Sequence, residues 1–285
     1  MKINEAEFRE LVDFDKYDRD VQERLSLLAN EYNSGNPLPF LKFMNNYVSW
    51  NGYFALGVTA LTTAIGVERD LFRDRELSIH LDCAADRSNY VASFVFDAAR
   101  DEFNDSNLPQ RAPHRTLSQA LMLRLGEIYG ERFDLNHYFK ETTELKYLNK
   151  DVITGYLGQR FFAAAPSQEK VFAGMGYHAS SEIFADAEFT ALDNTIKTQM
   201  PDLFSKLYKN MVKITDKELD AYHWIRVHSG HGSAVEQAHF ALALRSIQKA
   251  LEYTPEDQHA TCINAVKFGF KLFASDHSRF FQLKV

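Results

Sequence analysis

The chain has 285 residues, 45% hydrophobic and 25% charged, with a formal net charge of −7, a profile that fits a globular protein with a sizeable core. An acidic balance without a lysine or arginine run excludes a general nucleic-acid binder, which needs a clustered basic face. Two cysteines, Cys83 and Cys262, are too few for a disulfide framework or a thiolate metal site, and they fit a reducing, cytoplasmic setting.

Helical periodicity dominates, and strand-like alternation is scarce. Residues 4–32 read as an amphipathic helix, acidic and without an apolar signal core, broken by Asn33-Ser34-Gly35-Asn36-Pro37. A second helix is expected over 38–65. The uncharged stretch 47–67 is long enough to span a membrane, but Ser49, Asn51, Thr59, Thr62, Thr63 and two glycines make it a buried core helix instead. A third helix covers 77–103, followed by turn chemistry over 104–109. The next begins at His114 and ends between Gly126 and Gly130, and 131–150 holds a short helix plus loop. Helices follow over 151–164 and 167–198, and Pro201 opens another through Val212. Residues 216–228 and 233–253 form a last large pair around a glycine-containing break. A helix over 256–274 leaves an aromatic tail, Phe280-Phe281. With no linker or repeat, residues 1–285 are expected to form one all-α domain of eight to ten helices.

Three carboxylate–histidine pairings fall where core-facing side chains belong: Glu102 with His114, His178 with Glu182, and Glu236 with His239. Such groups are expensive to bury unless a charge partner, hydrogen bond or metal satisfies them. The stripe Met175, His178, Glu182, Ala185, Phe189, Leu192, Ile196 advances in three- and four-residue steps along one face. His178 and Glu182 stand one turn apart, close enough to share a ligand, whereas Glu188 lies off the stripe and is expected in solvent. On the late helix, Glu-x-x-His puts Glu236 and His239 on adjacent turns, a recurring element of di-iron and di-manganese bundles. His228 and His231 add imidazoles upstream. His80, His137, His223, His259 and His277 read as structural or surface. Carboxylates and imidazoles without thiolate suit iron, manganese or zinc. Six donors exceed the three protein ligands of a catalytic zinc.

The stretches DEFNDSNLPQRAPHRTL, GYHASSEIFADAEF and WIRVHSGHGSAVEQAHF resemble the ligand-bearing segments of the heme-oxygenase-like di-iron oxidases, the superfamily that includes the chlamydial death-domain-associating protein and TenA-like folds. The resemblance spans residues 101 to 240. It implies a bundle of about seven core helices with extra helices, and it places Glu102, His114, Glu182, Glu236 and His239 on ligand positions. Where the family pattern has histidine four residues before the late carboxylate, this chain has Gly232; His228 is the first substitute and His231 the second. The resemblance further implies two iron ions, O₂ as co-substrate, an external electron donor, and a small amine- or amino-acid-derived substrate undergoing N-oxygenation, desaturation or oxidative C–C cleavage in biosynthesis. Arg115 is a candidate for a substrate carboxylate, and Tyr177 and Trp224 for the pocket wall. The alternatives are a cofactor-independent enzyme of the TenA or PqqC kind, or a non-catalytic interaction protein. No membrane or nucleic-acid partner is expected; a homodimer is simply the commonest assembly in general.

Overall fold

Caps, prolines and glycines cut this chain into helices, and one long helix organises the rest. The computed structural model describes residues 5–77, 81–105, 112–162, 164–230 and 235–284; the side chains of Glu5, Asp82, Tyr138, Phe161, Phe162, Val235 and Glu236 also fall outside the description. In chain order the helices are α1 (Glu5–Arg9), α2 (Phe14–Asn33), α3 (Leu38–Asn51), α4 (Phe54–Val67), α5 (Asp82–Ala85), α6 (Ser88–Phe103), α7 (His114–Tyr129) and α8 (Leu135–Tyr138). Next come α9 (Thr143–Tyr156), α10 (Gln159–Phe162), α11 (Ser167–Gln199) and α12 (Pro201–Leu207). A hairpin of β1 (Met211–Ile214) and β2 (Lys217–Asp220) precedes α13 (His223–His228), α14 (Val235–Glu252) and α15 (His259–Phe281). Among the described residues the chain is mostly helical, 75% helix with one small two-stranded sheet. Among the described residues no helix is long and apolar enough to cross a membrane.

At 33 residues, α11 runs about 50 Å at 1.5 Å per residue. It packs along α15 and against α2, α4, α9, α12, α13 and α14. Every residue from Val171 to Ser181 is buried, because a helix surrounded on all sides has no solvent face. Two glycines permit the close crossing with α15. A Cβ on Gly176 would collide with the Val266 carbonyl, and one on Gly269 with the Ala173 carbonyl.

The structure differs from the sequence expectation in several places. The expected 38–65 helix is two, α3 and α4. The Asn51 side chain donates to the Tyr47 carbonyl (3.0 Å), and the Arg115 guanidinium lies against Gly52, where a Cβ would displace it. The first expected helix divides at Asp13, whose carboxylate caps α2 by accepting from the Lys16 amide (3.0 Å). The expected 77–103 helix begins regularly only at Ser88. Residues 216–228 are not one helix. Met211 pairs with Asp220 and Ile214 with Lys217, around a turn in which Thr215 adopts φ +56°. Strands of four residues are too short for alternation to register against helical surroundings. The aromatic tail is helical, since α15 continues to Phe281 and buries Phe280.

Candidate metal and substrate site

Around the middle of α11, that helix and four others converge their acidic and imidazole side chains. The last turn of α6 carries Asp101 and Glu102. Pro113, extended at ψ 143°, turns the chain into α7 so that His114 is its first residue. His178 and Glu182 come from α11, His228 from the end of α13, and His239 from the second turn of α14.

His114 sits between two expected partners: its Nδ1 is 3.3 Å from Glu102 Oε2 and 3.2 Å from His228 Nε2. The two oxygens of Glu182 face different imidazoles, Oε1 lying 3.1 Å from His178 Nδ1 and Oε2 3.5 Å from His239 Nδ1. Asp101 Oδ2 stands 3.9 Å from both His114 Nε2 and His239 Nε2, linking the two groups. Behind them the buried Asp105 contacts His223 Nε2 at 3.2 Å, and His223 Nδ1 accepts from Arg226 (2.9 Å). Glu102, His114, Glu182, His228 and His239 are thus brought together. The Glu236 side chain and His231 lie outside the described residues.

Charge is distributed so that several groups are ready to donate electron pairs. Burial, followed by the neighbouring His114, depresses His228 to about 3, so its imidazole is neutral at neutral pH. Its Nδ1 lies 2.7 Å from the Trp224 carbonyl, which can only accept. The ring proton therefore sits on Nδ1, and Nε2 carries a lone pair pointed at the cluster. Burial tends to raise Glu182, but His178 and His239 outweigh it and hold the carboxyl well below the usual range. His114 and His239 move the other way. Burial lowers each, but Glu102 with Asp101 and Asp105 raises His114, and Glu182 with Asp101 and Glu102 raises His239.

Donors held about 2.1 Å from one first-row or magnesium-sized ion stand about 3.0–3.4 Å from each other, close to the separations around His114 and between Glu182 and His178. His178 adds a second sign. Its ring is 1% exposed, and its one close polar neighbour among the described residues is the Glu182 carboxylate, 3.1 Å from Nδ1. In chemical type these residues suit a carboxylate–imidazole metal centre. The donors meet in pairs, however. Among the described residues no three His, Cys, Asp or Glu side chains form a group that would hold an ion as they stand.

Two cavities flank the cluster. The smaller, about 50 Å³, is lined by Glu102, His114, Glu182 and His228 together with Phe189 and Trp224. The larger, about 550 Å³, lies beneath α1 and α2 and reaches Glu182 from the other side, past Phe14, Tyr17, Phe184 and Phe240. Glu188 lines both. Contrary to the sequence expectation it is buried, accepting from Tyr47 Oη and contacting His277 Nε2, each at 2.8 Å. Glu188 is buried because Tyr47 of α3 and His277 of α15 cover its side of α11, although the neighbouring Ala187 is exposed. His277, on the apolar run Phe270, Phe273, His277, Phe281, was legible as a core residue.

The candidate pocket residues divide. Trp224 lines the smaller cavity. Tyr177 lines neither; its hydroxyl donates to Asp276 (3.1 Å), which Arg160 also holds. Arg115 borders the smaller cavity, but its Nη1 donates to the Val48 carbonyl at 2.8 Å, so it serves the α3–α7 junction. Sequence reasoning missed Asp101, Asp105, Glu188 and His277. Asp101 adjoins Glu102 and carried a readable signal. Asp105 did not, because an acid in a turn is ordinary.

No protein-family model, curated protein or solved structure matches this chain.

Proposed function

We propose that this protein is a non-haem di-iron, O₂-dependent oxidase or oxygenase with a heme-oxygenase-like bundle, acting on a small amine- or amino-acid-derived metabolite. One observation carries the reading. Glu102, His114, Glu182, His228 and His239, from five separate helices, share one buried cluster with successive contacts of 3.1–3.9 Å through Asp101 and His178. Iron, when bound, supplies the binding and reduction of O₂ that side chains alone cannot perform. Glu102, Glu182 and the three imidazoles would hold it, with Glu236 as the sixth ligand of the sequence pattern. Trp224 fixes the His228 tautomer, so Nε2 needs no proton loss to bind. The 550 Å³ cavity would admit the substrate to the Glu182 side, past Phe14, Tyr17, Phe184 and Phe240. Glu188 and His277, bonded to each other at the inner end, are placed to hold or exchange a proton there. An external electron donor would return the site to its reduced form.

A second reading drops the iron: a cofactor-independent enzyme in which Glu188 and His277 do acid–base work. It is favoured by their position on the cavity wall and by donors that meet only in pairs. Anaerobic Fe(II) titration separates the two. The di-iron reading expects two tightly held ions per chain, and loss of iron retention in Glu182→Ala and His239→Ala with helicity preserved. Wild-type protein that retains no iron, or variants that retain it normally, would refute it. O₂ exposure of loaded protein with a panel of amines and amino acids then identifies the substrate class.

A further inference from the structure

The wall of the larger cavity is strongly acidic. Among the described residues that line it, five bear carboxylates, Asp15, Asp18, Glu182, Asp186 and Glu188, against one guanidinium, Arg9, and one imidazole, His277. Asp15 has an ordinary reason to be acidic, in the first turn of α2, where negative charge suits the helix dipole. Asp186 has no such reason. It is half-buried on α11, with no hydrogen bond or ion pair among the described residues. It also stands one turn from Glu182, and like charges at that spacing destabilise a helix. Glu188 is buried, and Tyr47 and His277 each engage one of its oxygens. A carboxylate oxygen can accept more than one bond, so Glu188 retains capacity for a further donor. The apolar part of the wall is aromatic: Phe184 packs against Phe14 (centroids 5.0 Å) and, edge to face, against Tyr17 (5.3 Å). Aromatic faces attract cations as well as apolar groups. At about 550 Å³ the space is that of a small-molecule site, for which roughly 300–1,000 Å³ is usual.

Resting on the oxidase reading above for the chemistry that follows binding, we infer that this cavity is the site of a protonated amine with an apolar body and no carboxylate. Asp186 and Glu188 meet the ammonium group, and Phe14, Tyr17 and Phe184 hold the body. A carboxylate on the ligand would face five acids and find one guanidinium, Arg9, which is exposed and lies over the Phe14 ring (5.7 Å). Arg115, the sequence candidate for a substrate carboxylate, borders the other cavity and donates to the Val48 carbonyl instead. Amino acids are therefore disfavoured against the amines that lack their carboxylate. Glu182 lines the same cavity, so the bound amine lies beside the acid–imidazole cluster.

The test reads binding to the full chain before any iron is added, so it is independent of turnover. Isothermal titration compares four probes that share a phenyl ring and differ in charge: phenethylamine, phenethyl alcohol, phenylpropanoate and phenylalanine, the last being phenethylamine with a carboxylate. The expected result is that phenethylamine binds about tenfold or more tighter than each of the others. Asp186→Asn and Glu188→Gln should each weaken phenethylamine binding by about threefold or more and leave phenethyl alcohol unchanged. Asp202→Asn, which removes an exposed charge on α12, should change neither. The charge series in wild type remains a readout if either cavity variant fails to fold. No binding of any probe, equal affinity for phenethylamine and phenylalanine, or folded cavity variants that bind phenethylamine as wild type does would overturn the amine site, whatever the protein does with iron. Selective phenethylamine binding by a protein that retains no iron keeps the amine site and refutes the di-iron reading.

Discussion

The neutral state of His228 has a measurable consequence for the metal-free protein. In the unfolded chain an imidazole takes up its proton near 6.5, whereas the folded protein holds this one neutral down to about 3. Between those values the unfolded state binds one more proton than the native state, so stability must fall as pH falls. At 1.36 kcal/mol per pH unit the full span corresponds to roughly 5 kcal/mol, and the interval from pH 6.5 to 5 to about 2 kcal/mol. His114 and His239, whose folded values are raised, act with the opposite sign: their stabilisation is present below the unfolded value and lost as pH rises through the folded one. The net slope of wild type therefore mixes both, and a comparison isolates His228. His228→Gln keeps a donor for the Trp224 carbonyl but cannot titrate. Urea unfolding of metal-free wild type and variant across pH 5–7 should give curves that converge toward acid, the wild type losing about 2 kcal/mol more than the variant. Parallel curves would mean that His228 is not held neutral, and would remove the argument that its Nε2 is ready to bind a cation.

Two further outcomes test the packing that carries the site. Gly269→Ala should destabilise the protein by about 1–3 kcal/mol or more, because the new methyl meets the Ala173 backbone carbonyl rather than a movable side chain; unchanged thermal and urea midpoints would contradict the close α11–α15 crossing. Tyr47→Phe removes the hydroxyl that donates to buried Glu188 at 2.8 Å and should cost about 1–3 kcal/mol, the penalty of an under-satisfied buried acceptor. A neutral effect on the unfolding free energy would show that Glu188 finds water from the neighbouring cavity.

The starts of α7, α11 and α12 were readable because caps and breakers act locally: Pro201 opens α12, His114 begins α7, and Ser167 follows Pro166 into α11. The pairings of Glu102 with His114 and of His178 with Glu182 were legible for the same reason, since each depends on a short loop or a single helical turn. The hairpin at 211–220 and the break at Gly52 were not, as each depends on contacts from elsewhere, including the Arg115 guanidinium beside Gly52.

What the amino-acid order determined by itself was which side chains repeat with helical spacing, and hence that acids and imidazoles interrupt apolar stripes. Tertiary packing alone decided which of those interruptions meet. Glu188 looked solvent-facing on a helix taken in isolation and became buried because Tyr47 and His277 arrive over it from α3 and α15. The convergence of α6, α7, α11, α13 and α14 on one cluster is likewise a property of how the helices cross, for periodicity fixes the face of a helix but not the neighbour that covers it.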